Sequence, residues 1–177
     1  MKVYLRIQSP LYRDYLRYLL PQSEGIFCLS KQTDWGTLVC SFVRYSDTPV
    51  DRETGEDVMT FLLPKTHSLA SAPNYHCYIR SEDQIKINDF LKVIFNLDLD
   101  RWYIKGMKMG MQQKEVLESF IVSRKLTNLL NDNETLKKRQ YREELQLLEE
   151  RKELLRQRCY YRNQRLEFDP QKYLVNT

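Results

Sequence analysis

From Asp132 to about Glu167 the chain contains neither glycine nor proline, and a run of that length without a breaker reads as one long helix. It is about three times the length of an average globular helix, so it calls for a partner or a free-standing role. Its charge is lopsided. Between Lys137 and Leu166 lie ten Lys and Arg against five Glu, a local net of +5. The whole chain carries +4, so everything outside that stretch sums to −1. Net positive charge confined to one C-terminal helix is the electrostatic footprint expected of a surface that meets a polyanion.

The start of this helix is well signalled. Asp132 and Asn133 are good N-cap types, Glu134 sits in the first turn, and Leu136-Lys137-Lys138-Arg139-Gln140-Tyr141-Arg142 opens the basic run. Ahead of it, Gln112 to Lys125 places Val116, Leu117, Phe120 and Ile121 on one helical face. Gly110 is a break before that helix, and Arg124 and Lys125 supply cations where its dipole favours them. A short connection, Thr127 to Asn131, joins the two. Helix, turn and capped basic helix over residues 111–142 is the arrangement of a helix-turn-helix reader of double-stranded DNA. Lys137, Lys138, Arg139 and Arg142 would meet phosphates, and Gln140 or Arg139 would face base edges. Two packed helices with a solvated basic face suit the same residues.

Further along, Leu147 and Leu148 are followed seven residues later by Leu154 and Leu155, and then by Tyr161. About two heptads of paired apolar residues form a short, weak coiled-coil seam or an edge packed on the chain's own domain, and the first reading gives the expectation of a homodimer. Glu149 and Lys152, at three-residue spacing, suit an ion pair beside it. Arg156, Arg158, Arg162 and Arg165 alternate with Tyr160 and Tyr161. That density of Arg and Tyr fits phosphate and base contacts, and equally a solvated helix end with cation–π pairs. Asp169-Pro170 begins a tail, residues 169–177.

The N-terminal portion, residues 1–80, reads differently. Val3, Leu5 and Ile7 alternate within Lys2–Gln8 as in a half-buried strand. Ser9 and Pro10 start a helix with Leu11, Tyr15, Leu16, Leu19 and Leu20 as its stripe, ended by Pro21. Ile26–Leu29 is a second strand. Ser30 is placed to cap a helix over Asp34–Tyr45, with Trp35, Leu38, Val39, Phe42 and Val43 on one face. The polar segment Ser46–Asp57 is a surface loop or the tip of a hairpin. Val58–Leu63 and Tyr75–Ile79 read as strands that pair as a hairpin, because Pro64 and Pro73 bound them without interrupting them. Ser81 then caps a long helix carrying Ile87, Phe90, Leu91, Ile94, Phe95, Trp102 and Tyr103 as core. Asp98 and Asp100 fall where it would bend or meet solvent, with Gly106 loosening its end. The fold class is therefore α+β: a small strand/helix layer, then a helical half over residues 81–168. The long charged helix would occupy 132–167.

Catalysis is not expected. There is no glycine-rich phosphate loop and no GxSxG, and adjacent His76 and Cys77 on a strand would point to opposite faces. No cofactor or small-molecule substrate is indicated. Cys28, Cys40, Cys77 and Cys159 are scattered without a CxxC pair, which suits reduced thiols and not a zinc site. Asp98 and Asp100 are poor candidates for a metal pair. Charges interrupt every apolar run of MKVYLRIQSPLYRDY, so neither a secretion signal nor a membrane span is expected there, and a cytoplasmic location is.

Glu134, Leu136, Lys137, Lys138, Tyr141 and Arg142 fit a pattern (Asp/Glu)-x-Leu-Lys-Lys-x-x-Tyr-Arg, preceded by Lys114-Glu115-Val116 and Phe120. In these thirty or so residues the chain resembles helix-turn-helix-like proteins encoded by prophages and mobile elements of Bacteroidetes. The resemblance implies a DNA-associated, regulatory protein. The extended Glu/Arg-rich helix after Arg142 departs from that pattern. The competing expectation is a non-enzymatic interaction protein that uses the long helix to dimerise or dock.

Overall fold

A computed structural model describes residues 1–64 and 76–126, together with Glu150. In order, the elements are β1 (Lys2–Arg6), α1 (Pro10–Leu19), β2 (Gln22–Ser23), β3 (Ile26–Cys28), α2 (Asp34–Phe42), β4 (Arg44–Ser46), β5 (Val58–Leu62), β6 (His76–Tyr78), α3 (Ser81–Lys108) and α4 (Gln113–Arg124). The chain is α+β, with its strands in the N-terminal part and helices after them. The basic helix expected over 132–167 and the tail at 169–177 lie outside the described residues, Glu150 apart.

Alternation builds the sheet. Val3 and Leu5 are fully buried while Lys2 and Arg6 face out, the two-residue period of a strand with one covered face. The four-stranded sheet has the order β1-β5-β3-β2. β1 runs antiparallel to β5, setting Val3 opposite Phe61 and Leu5 opposite Met59. β3 runs parallel to β5, with Phe27 opposite Phe61. β2 and β3 join through Glu24-Gly25, whose φ values of 52° and 76° are those of a two-residue primed turn.

The expected hairpin of β5 with β6 does not form. A strand has two edges, and β1 and β3 take both of those on β5. β6 pairs instead with β4, Cys77 opposite Tyr45, in a separate two-stranded sheet. For the same reason α2 is shorter than its apolar pattern suggests. It stops at Phe42, Val43 turns extended at φ −67° and ψ 128°, and Arg44–Ser46 joins β6.

The caps differ as well. Thr33, not Ser30, caps α2: its hydroxyl accepts the Gly36 N–H at 3.1 Å and donates to the Ser30 carbonyl at 2.9 Å. That turn crowds Gly36 so closely that a Cβ would meet the Ser30 carbonyl oxygen at 2.0 Å. Ser81 is the first helical residue of α3, preceded by Arg80 as cap. Ser9 and Pro10 do open α1, although the Ser9 side chain makes no capping bond.

α3 continues unbroken for 28 residues, through Leu97–Asp100. Gly106 does not loosen it; it lets α4 approach. A Cβ there would lie 2.5 Å from Val116 Cγ2. Gly110, at φ 79°, reverses the chain, and a capping box opens α4, with the Gln112 N–H donating to Glu115 Oε2 at 2.7 Å. One buried cluster then runs from the sheet through α1 to α3 and α4, drawing on residues from Val3 to Leu126. Aromatic edges stitch it together: Tyr15 to Phe95 at 5.1 Å, Phe95 to Phe120 at 5.7 Å and Trp102 to Phe120 at 6.1 Å.

Candidate functional site

Of the residues expected to touch nucleic acid, Lys137, Lys138, Arg139, Gln140, Arg142, Arg156, Arg158, Arg162 and Arg165 all lie outside the described residues. So do Leu147, Leu148, Leu154 and Leu155 of the expected dimer seam. What is described is α4, which precedes that stretch in sequence, and the manner in which its C-terminal end is fixed.

Val116, Leu117, Phe120 and Ile121 are buried, as their spacing requires. The covered surface wraps further, taking in Ser119, Ser123 and Arg124, and leaves an exposed stripe of Lys114, Glu118, Val122 and Lys125. Arg124 is the largest departure from expectation. It is not a solvated cation near a helix end but is 0% exposed. Its Nε and Nη2 donate to the two oxygens of Asp98 at 2.8 and 2.9 Å, a two-pronged ion pair from α4 to the middle of α3. Tyr15 of α1 donates its hydroxyl to Asp98 Oδ2 at 3.0 Å. The guanidinium lies 4.8 Å from the ring centre of Tyr18, 4.7 Å from Trp102 and 5.4 Å from Phe120. Trp102 Nε1 in turn donates to Ser119 Oγ at 2.9 Å, and that hydroxyl donates to the Val116 carbonyl at 2.7 Å.

Electrostatics follow from this geometry. Burial opposes the charge on Arg124, but the hydrogen bonds and charge of Asp98 outweigh it and hold the guanidinium's pKa above its ordinary value. Burial raises the Tyr15 hydroxyl well above its usual range, and the neighbouring Asp98 carboxylate raises it further. Three helices thus meet at one buried carboxylate. Lys125 then takes a left-handed conformation, φ 54°, its N–H bonded to the Val122 carbonyl, and ends α4. Leu126, the last described residue after this helix end, is buried.

Asp98 is therefore no solvated break, its oxygens accepting from Arg124 and Tyr15, and Asp100 is buried with it. Among the described residues no three His, Cys, Asp or Glu cluster as metal ligands would. Cys28, Cys40 and Cys77 are free, and burial raises the thiol pKa of Cys40 and Cys77, which disfavours the nucleophilic thiolate. No helix among the described residues is long and apolar enough to cross a membrane.

The ion pair had a signal in the sequence. Asp98 follows Leu91 and Phe95 and precedes Trp102 at steps of four, three and four, so it belongs to the apolar stripe of α3. Arg124 lies seven residues after Leu117 and four after Phe120, on the apolar stripe of α4. Opposite charges on two buried stripes are expected to find one another. Comparisons with protein-family models, with curated proteins and with solved structures give no match.

Proposed function

We propose that the chain binds double-stranded DNA through the basic stretch that follows α4, with the α+β body as a fixed platform. The observation that carries this reading is the distribution of charge: +5 between Lys137 and Leu166 against −1 elsewhere. Cations on one face gain affinity for a duplex by releasing its condensed counterions. The described body supports the reading by supplying the first helix of the pair where the sequence puts it. That helix is clamped at its C-terminal end, and the turn leading out of it starts at Lys125. A recognition helix needs such a fixed neighbour to hold its register on phosphates. Val122 and Lys125 lie exposed on the open stripe of α4. The resemblance to proteins of prophages and mobile elements adds a regulatory role to the proposal.

Mobility-shift titration of the full chain with duplex DNA tests this. Replacing Lys137 and Lys138 by Ala should weaken binding to every sequence alike, because phosphate contacts carry no base information. An unaltered affinity in that variant moves the contact surface to Arg156–Arg165. Complete lack of retardation of the wild type at low salt favours the second reading, an interaction protein whose long helix pairs through Leu147, Leu148, Leu154 and Leu155.

A further inference from the structure

The Cys77 thiol donates to Met1 Sδ at 3.7 Å, so two sulfurs face one another with a single proton between them. Both residues are held by their backbones. The Met1 carbonyl accepts from the Leu63 N–H at 2.9 Å, just past β5, and Cys77 sits opposite Tyr45 in the β4–β6 pair. Their side chains pack against the edge of the core without being sealed in it. Among the described residues neither Cys28 nor Cys40 has a hydrogen bond to a second sulfur. A groove of about 400 Å³ opens beside the pair, with Met1, His76 and Cys77 in its wall.

Sulfur donors choose their ion. A thiolate with a thioether is a soft ligand set, which favours monovalent copper over the cations that seek oxygen. The spacing suits it. With metal–sulfur bonds of about 2.3 Å, sulfurs 3.7 Å apart subtend about 107° at the metal, close to the tetrahedral angle. The two strands need not move to reach that geometry, and the remaining positions are left for small ligands that enter by the groove. Charge balances as well. Lys2, Arg6 and Arg52 around the groove are matched by Asp51, Glu53 and Asp57, so the surroundings neither draw nor repel an ion. A monovalent cation exchanged for the thiol proton leaves that balance as it was. Burial holds the Cys77 pKa above its ordinary value, against a smaller opposite pull from the charge at the amino terminus. The thiol therefore keeps its proton until a metal displaces it.

We propose that Cys77 Sγ and Met1 Sδ form a binding site for monovalent copper, the ion taking the place of the thiol proton. The sulfur–hydrogen bond breaks, a sulfur–copper bond forms, and the proton leaves to solvent. No electron moves, because copper enters and stays monovalent. The site is independent of the basic C-terminal stretch and stands or falls separately from DNA binding.

The test uses the full chain, reduced and kept free of oxygen, with carbon-13 methyl groups on its five methionines. One equivalent of silver(I), an air-stable stand-in for copper(I), should move the Met1 methyl signal and leave those of Met59, Met107, Met109 and Met111 in place. An unmoved Met1 signal overturns the proposal. Zinc(II) should move none of them; a shift equal to that from silver overturns the assignment to a soft monovalent ion. Competition with a colorimetric copper(I) chelator, corrected for the chelator's own protonation, then gives the affinity. It should rise about tenfold per pH unit while the thiol is protonated, since each ion bound releases one proton, and a flat profile removes the thiol as a ligand. Cys77→Ser should lose more than the roughly 10–100-fold that even outer-shell changes cost a metal site. The triple variant Cys28→Ser, Cys40→Ser, Cys159→Ser keeps Cys77 as the sole thiol and should bind as the wild type does. Loss of binding in it, or full affinity in Cys77→Ser, puts the copper elsewhere and overturns the proposal. Should Cys77→Ser fail to fold, the triple variant and the Met1 signal decide between the two outcomes.

Discussion

Replacing Arg124 by Met takes away the guanidinium and leaves the Asp98 carboxylate buried, with Tyr15 as its remaining donor. Both side chains of the pair are 0% exposed, so water cannot take over the lost bonds. Removing one partner of such a pair costs about 3–5 kcal/mol, because an uncompensated charge stays in the interior. A domain of this size has about 5–15 kcal/mol in all, so the variant should stand near the edge of folding. With a urea slope of about 2 kcal/mol/M, the midpoint should fall by roughly 2 M. The double variant Asp98→Leu, Arg124→Met removes both charges and fills the site with apolar atoms. It should recover to within about 1–3 kcal/mol of the wild type, the remainder being the buried Tyr15 hydroxyl left without its acceptor. Urea unfolding followed by far-ultraviolet circular dichroism and by tryptophan fluorescence measures the wild type, the single variants Arg124→Met and Asp98→Leu, and the double variant, and Trp102, beside the guanidinium, reports the site directly. A single variant costing less than about 1 kcal/mol would refute the reasoning. So would a double variant whose cost is the sum of the two single changes.

Three further outcomes are expected. Gly106→Ala gains about 1 kcal/mol of helix propensity but drives a methyl to 2.5 Å from Val116 Cγ2, so it should destabilise by roughly 1–3 kcal/mol net, and Val116→Ala should relieve part of that loss. Tyr15 has a raised folded-state pKa, so its contribution is fully present below the unfolded value of about 10 and is lost as pH rises from there through the folded value. Thermal melts across that alkaline window should fall less steeply for Tyr15→Phe than for the wild type; identical slopes would contradict the assignment. Sedimentation equilibrium should show a weak dimer for the wild type and a monomer for Leu148→Lys, Leu155→Lys, and a wild type that remains monomeric removes the seam.

How much of this was legible depended on whether a residue's neighbours in sequence were also its neighbours in space. β1, α1, β5 and α4 lie within about two residues of where periodicity puts them, since alternation at Val3 and Leu5 or the spacing of Val116, Leu117 and Phe120 is local information. Strand pairing is not local. β5 recruits β1 and β3 from far away, and a hairpin with β6 loses because no edge is left for it. The shortening of α2 at Phe42 follows from the same competition, β4 being claimed by β6. Asp98 and Arg124 show a different failure. Charge alone points each to solvent, whereas its position on an apolar stripe places it in the interior. Burial of a charge is readable once its partner is sought on the facing helix. Caps were missed where a neighbouring residue offered the better geometry, as Thr33 did over Ser30.

The proposal that the chain binds duplex DNA turns most directly on salt. With four phosphate contacts, from Lys137, Lys138, Arg139 and Arg142, the logarithm of the binding constant of the full chain should fall with the logarithm of salt concentration at a slope of roughly −3 to −4. Losing Lys137 and Lys138 should flatten that slope by about two units while leaving the unfolding midpoint unchanged. A wild-type slope near zero, or no measurable binding at low salt, would contradict the account.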